Sequence, residues 1–515
     1  MYDKIIVTNR EPLVGKYGTN GFKTIGKALD VLANADERLG IKTRILHLDD
    51  RTDMKKVGGK AVTNTLDPRE NKEAVDSVFK FYNPHYLMIL GSPDVLPHQD
   101  LDNPTDLPGD DIPGDGDAHA WGDLPYACEA PYSQDPARFI GPTRVVGRLP
   151  DLVGANKPSF LISLLKTASA YKMRSPDDYT GYLGLSAEVW KGSTRLSLDN
   201  IFGNSSKLLL APPSGPNYSN GELHNLMHFI NCHGADGSPE FYGQHGGSYP
   251  VSLTTDSITG AIVKGTVAAV ECCYGAQLYD SVTLGIDQPI CQSYLQQGAY
   301  GYFGSTTIAY GPWDTNAQAD LICQYFLLKV LEGASLGHAA LMARQLFVRD
   351  TAQMDAMDLK TLAQFCLLGD PSVHPIAKHS PTGVPTGKAK ADAERYLRAE
   401  RRQKMKLAGE FLTETKPTAA RRLTTVKLSQ TTKAKLATLA SNAGLPKNQR
   451  FKAYAVDEKS GTKGQDAEAT TSPLIYLIAI GNPERHAGTK IKTGVAIVVK
   501  VLNGRVIGYR IYRQR

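Results

Sequence analysis

The sequence has 515 residues, 41% hydrophobic, 21% charged and 8% aromatic; this is the balance of a globular chain too long for one core, so two or three domains are expected. No apolar run is long enough to span a bilayer, and the N-terminus shows no apolar targeting region. The seven cysteines are odd in number and lack Cys-x-x-Cys pairs, which argues against a disulfide framework and zinc knuckles and for a reducing, cytoplasmic compartment.

Charge is unevenly spread. From residue 377 onward there are 28 Lys and Arg against 10 Asp and Glu, a net +18 that leaves −12 on the first 376 residues. An acidic body joined to a basic tail implies two units. The tail is expected either to dock on the body or to bind an acidic partner such as nucleic acid or a regulatory protein.

In chain order, residues 4–8 read as a strand, 21–35 as a helix, 43–47 as a strand, 71–82 as an amphipathic helix and 86–90 as an apolar strand. Buried strands separated by helices mean a parallel sheet covered on both faces. Residues 97–122 break this rhythm with Pro, Gly and the carboxylates Asp106, Asp110, Asp111, Asp115 and Asp117. This reads as an acidic loop, and closely spaced carboxylates of this kind can ligate calcium. No other cofactor is expected.

A second α/β unit starts near residue 156. It has a helix at 159–171, strands at 181–185, 227–232, 266–271 and 299–303, and helices at 315–333 and 336–348. Residues 379–387 have linker composition, and 388–412 form a basic helical pattern. Near the end, Asn503-Gly504 between two β-rich runs marks a hairpin. The expected division is therefore an N-terminal α/β subdomain over 1–155, a catalytic α/β subdomain over 156–376, a linker over 377–387 and a basic α+β module over 388–515.

Two strand ends carry chemistry. The apolar run Phe229-Ile230-Asn231-Cys232 ends in His233-Gly234, and Val267-Ala268-Ala269-Val270 ends in Glu271-Cys272-Cys273-Tyr274-Gly275. In an open parallel sheet, ligands gather beyond the carboxyl ends of the strands. A His and a Cys delivered there can act as base and nucleophile, while backbone N–H groups, those of Gly234 and Cys272, stabilise an oxyanion. A lone buried Cys is usually packing; two such ends in order are rarer by chance.

These segments resemble the gingipain-like cysteine peptidases, of the clan that also holds caspases, clostripain, legumain and separase. The resemblance rests on His233-Gly234 and on Cys272-x-x-Gly275. Around them lie Gly91-Ser92-Pro93-Asp94, Gly147-Arg148-Leu149-Pro150, Gly304-Ser305-Thr306 and Leu368-Gly369-Asp370-Pro371. It covers roughly residues 1–376 and implies a caspase-like three-layer α/β/α fold and an endopeptidase with His233 as base. The Cys-x-x-Gly spacing selects Cys272 as nucleophile; a Cys-x-Gly spacing would select Cys273. It also implies a protein or peptide substrate and no membrane association. For a basic P1 side chain, Glu188 at a strand end and Asp236 past the histidine are the candidate pocket carboxylates. The alternatives are an inactive peptidase-derived scaffold and a nucleic-acid-binding protein acting through its basic tail.

Overall fold

A computed structural model describes residues 2–107, 112, 114–351, 353–377, 418–424, 426–456, 474–481, 484–486 and 489–515. The expected linker and the basic helical pattern at 388–412 lie outside the described residues, as do Asp110 and Asp111.

Ten strands build the central sheet: β1 (Lys4–Thr8), β2 (Thr43–His47), β3 (Tyr86–Leu90), β4 (Val145–Leu149), β5 (Tyr182–Ala187), β6 (Leu208–Ala211), β7 (Met227–Asn231), β8 (Val267–Val270), β9 (Gly301–Ser305) and β10 (Phe365–Gly369). Their spatial order is β2-β1-β3-β4-β10-β9-β8-β7-β5-β6. All pairings are parallel except β9 with β10. The sheet is thus two parallel blocks of opposite direction meeting at one antiparallel seam. β1, β3, β4, β7, β8, β9 and β10 are buried along their whole length, as their unbroken apolar runs require. Helices pack on both faces, so the fold is a three-layer α/β/α arrangement.

One sheet runs through both halves of the chain. β10, late in the sequence, returns to pair parallel with β4 of the N-terminal half. The segment 97–122 is also more ordered than a plain loop. Its ends pair as the strands Gln99–Asp102 and His119–Gly122, and Asp115 and Asp117 are buried against the ammonium of Lys360, with Asp117 at 2.6 Å. These two carboxylates share one buried lysine ammonium where a calcium ion was considered.

The C-terminal residues form a six-stranded sheet that begins on the body. The short strand Tyr310–Gly311 pairs antiparallel with Arg505–Gln514, which pairs in turn with Val495–Leu502, and the sheet continues through Leu474–Ile480, Lys452–Val456 and Arg421–Leu423. Asn503 and Gly504 adopt φ 50° and 71°, so the hairpin turn is the left-handed kind that Asn-Gly favours. Tyr454, Tyr476, Ile478, Val498 and Tyr512 share one buried cluster with Phe326, Phe347 and Leu362 of the body. A basic unit that merely tethers to an acidic body would not share a core with it; here the two are welded by apolar burial. Among the described residues, no helix is long and apolar enough to cross a membrane.

Candidate active site

β7 and β8 run parallel in register, Val267 beside Met227 and Ala269 beside Phe229. Side chains alternate faces along a strand. Met227 and Phe229 pack in one cluster with Val267, Ala269 and Cys273; Ile230 and Cys232 pack in the other with Ala268, Val270 and Cys272. Just past the strand end, the Glu271 N–H donates to the Ile230 carbonyl at 2.9 Å.

The two cysteines are therefore not equivalent. Cys272 is wholly buried in the opposite cluster, and burial holds its thiol well above the ordinary cysteine range. Cys273 lines a cleft of about 290 Å³ together with Gly234, Ala235, Asp236, Tyr274 and Gln277. Its Sγ accepts the Ala309 N–H at 3.2 Å. Tyr274 follows at φ 55°, a left-handed conformation that turns the chain directly after Cys273. The Cys-x-x-Gly spacing pointed to Cys272; the structure turns that side chain into the core and brings Cys273 to the cleft.

The backbone N–H groups of Gly234 and Cys273 converge on a single oxygen, the carbonyl of Arg515, at 3.4 and 3.2 Å. Of the two backbone N–H groups expected to act together, that of Gly234 reaches this oxygen, and its companion there is the N–H of Cys273. A Cβ on residue 234 would lie 1.8 Å from the Cys273 carbonyl oxygen, so only glycine permits this approach.

His233 is buried between rings, with Trp190 at 4.3 Å and Tyr249 at 5.3 Å between centroids. Its Nε2 meets Gln244 Oε1 at 2.8 Å. Gln244 Nε2 donates to the Gly246 carbonyl and to Tyr249 Oη. A carbonyl only accepts, so the amide orientation is fixed and the ring proton sits on Nε2. That leaves a lone pair on Nδ1, which has no hydrogen-bond partner among the described residues. Burial, with Arg515, His486 and Arg513 nearby, pulls the His233 pKa down to about 3 against the Gln244 bond. The imidazole is neutral at any physiological pH.

The Arg515 side chain fills a buried pocket beside these groups. Nη1 donates to Asn231 Oδ1 at 2.6 Å, and Nη2 donates to Asp320 Oδ2 at 2.6 Å and to the Pro312 carbonyl at 3.0 Å. The guanidinium also lies 4.6 Å over the Trp190 ring, and Glu271 Oε2 is 3.8 Å from Nη2. Asn231 is held in turn by Thr194, to which its Nδ2 donates at 2.9 Å. Burial and the charge of Asp320 push the Glu271 carboxyl well above its usual range. Two carboxylates this close do not both ionise, so the pair carries one proton and presents one negative charge to one guanidinium.

Sequence reasoning proposed Glu188 and Asp236 for this pocket. Glu188 instead bonds Lys191 and His245 at the surface, and Asp236 accepts from Gln277 on the other side of Cys273. Asp320, Asn231, Glu271 and Trp190, which surround the Arg515 side chain, and Gln244, which bonds His233, were not among the candidates chosen from the sequence. Asp320 carried a signal: it is a carboxylate in the first turn of the helix Gln318–Leu331, among the buried Ala319, Ile322 and Cys323. Gln244 carried none.

No family model matches the sequence, and no curated protein was found similar to it. Among the solved structures similar to it at low identity are the following two. One, described only as a protease, is 13% identical, with 100% of this chain and 97% of that chain covered and a TM-score of 0.48. The other is the Saccharomyces cerevisiae separase–securin complex, 12% identical, with 58% of this chain and 17% of that chain covered and a TM-score of 0.27.

Burial raises the Cys273 thiol to about 12, with Asp117 adding to it and the Ala309 and Arg515 backbone contacts opposing. The thiolate is the reactive form. Iodoacetamide labelling of Cys273 in the intact chain is therefore expected to accelerate about tenfold per pH unit from pH 7 to 10. Mass mapping of labelled peptides reads the rate; a plateau near pH 8.5 contradicts the assignment.

Proposed function

We propose that this chain is a cysteine endopeptidase that cleaves after arginine, with Cys273 as nucleophile and His233 as base. One observation carries the reading: an arginine sits with its carbonyl oxygen against two backbone N–H donors at Cys273 and its guanidinium on a buried carboxylate. This is the arrangement a P1 residue requires, with donors aimed where negative charge develops.

In the proposed reaction His233 Nδ1 takes the proton of Cys273 Sγ, and the sulfur attacks the carbonyl carbon of the P1 arginine. The oxyanion forms between the N–H groups of Gly234 and Cys273. His233 returns the proton to the leaving amine as the C–N bond breaks, giving a thioester. Water deprotonated by His233 then hydrolyses it and restores the thiol. Gln244 is a positioning residue that keeps the ring proton on Nε2. Asp320, Asn231 and Trp190 hold the guanidinium, replacing Glu188 in the role first considered.

Prolonged incubation with a peptide library, with and without prior alkylation of Cys273, tests this. Cut sites dominated by arginine at P1 and lost on alkylation are expected. A profile led by leucine or aspartate, or cleavage that survives alkylation, would overturn it.

A further inference from the structure

The residue in the pocket belongs to the protein itself. Arg505–Gln514 runs antiparallel along Tyr310–Gly311, Gln514 opposite Tyr310 and Arg513 opposite Gly311, and the Arg515 N–H then donates to the Ala309 carbonyl at 3.1 Å. An extended peptide added to a strand edge, with its last carbonyl at the nucleophile, is how a protease holds a substrate. The side chains fall into successive subsites. Arg515 takes the carboxylate pocket. Gln514 is buried, its Nε2 on Tyr310 Oη at 3.2 Å. The Arg513 guanidinium stacks 3.8 Å over Trp313. Tyr512 is buried, its Oη accepting from Gln318 Nε2 at 3.1 Å. Gly311 is shaped for this occupant, since a Cβ there would lie 2.0 Å from Arg515 Nη2.

We infer that residues 512–515 are a built-in competitive inhibitor of the groove that runs along Ala309–Trp313 to the Cys273 N–H, and that this groove prefers peptides of the form Tyr-Arg-Gln-Arg ending at the scissile bond. The inference rests on the peptidase reading for the word inhibitor, but the occupancy stands on geometry alone. Occupancy also bears on the resting chemistry: the charges of buried Arg515 and half-buried Arg513 contribute to holding His233 neutral. A tethered segment acts at an effective concentration in the millimolar range. If the same tetrapeptide binds in trans with a Kd of ~0.1 mM, about one cleft in ten is open at any moment.

The test compares the intact chain with Arg515→Ala and Arg515→Lys. Iodoacetamide labelling of Cys273 reads access to the cleft whether or not anything is cleaved. Labelling about tenfold faster in Arg515→Ala, intermediate in Arg515→Lys, and slowed again by added Ac-Tyr-Arg-Gln-Arg-NH2 is expected; KM for a small arginyl substrate should fall by a similar factor. Unchanged labelling in a folded Arg515→Ala protein overturns the inference, even if library peptides are cut after arginine. Faster labelling with protection by the peptide, but no cleavage of any peptide, leaves the occupancy standing and removes the peptidase reading. Should both variants fail to fold, hydrogen exchange of the wild-type chain decides: protected Gln514 and Arg515 amides support it, and exchange at free-peptide rates overturns it.

Discussion

Cys273→Ala is expected to lower arginyl peptide cleavage by at least about 10⁴-fold, the order lost when a nucleophile–base pair loses a member. Cys272→Ala is expected to keep kcat/KM within about threefold. The difference comes from strand geometry. Cys272 faces Cys232 and Val270 in the core and offers no path to a substrate. Its removal leaves a small void beside the sheet, costing about 1 kcal/mol of stability and a lower Tm. Cys273 packs in the cluster of Met227, Phe229 and Ala269, and its own N–H donates to the Arg515 main-chain oxygen, where the proposed oxyanion would form. The alanine variant keeps that N–H, so it should still bind an arginyl peptide while failing to cut it. Binding and turnover measured on both variants check the assignment. A dead Cys272→Ala protein with an active Cys273→Ala protein would reverse it.

The choice between the two cysteines shows where the sequence stopped informing. β8 is buried on both faces, so Val267-Ala268-Ala269-Val270 shows no apolar–polar alternation from which to read sidedness. What decides is register: β7 and β8 align with an offset of forty, Ile230 beside Val270, and Cys272 and Cys273 then fall in opposite clusters. Register between strands this far apart in sequence is set by packing, not by local pattern. The body was legible because its strands are short, wholly apolar and bounded by turn residues; Lys4–Thr8, Thr43–His47 and Tyr86–Leu90 match their sequence readings. β10 went unread as a strand because Leu367-Leu368-Gly369-Asp370 registered only as a motif. How the tail meets the body was not legible for a different reason. Its charge, +18 against −12, suggested a unit held by long-range attraction. Net charge does not reveal that Tyr476, Ile478 and Tyr512 are buried against the body, nor that one arginine among many is the residue inside the site.

That pocket also yields the second large effect. Asp320→Asn is expected to reduce kcat/KM for arginyl substrates by roughly 30- to 5,000-fold, the range for removing one partner of a buried charge pair (about 2–5 kcal/mol). The lower part of that range is favoured, because Glu271 remains 3.8 Å from the guanidinium and can ionise once the neighbouring charge is gone. Neutral P1 residues should lose far less, since they never used the carboxylate. Lysine substrates should already be poor in the wild type: a single ammonium cannot reach Asn231, Asp320 and the Pro312 carbonyl as the forked guanidinium does. Gly311→Ala offers an independent check on the same pocket, because it adds bulk where Nη2 lies without touching any charge. It should disfavour arginine while sparing smaller P1 side chains. Steady-state kinetics on a matched series with arginine, lysine, glutamine and alanine at P1 reads all of these together. Equal losses across the series in Asp320→Asn would mean that Asp320 supports the fold and does not select the substrate.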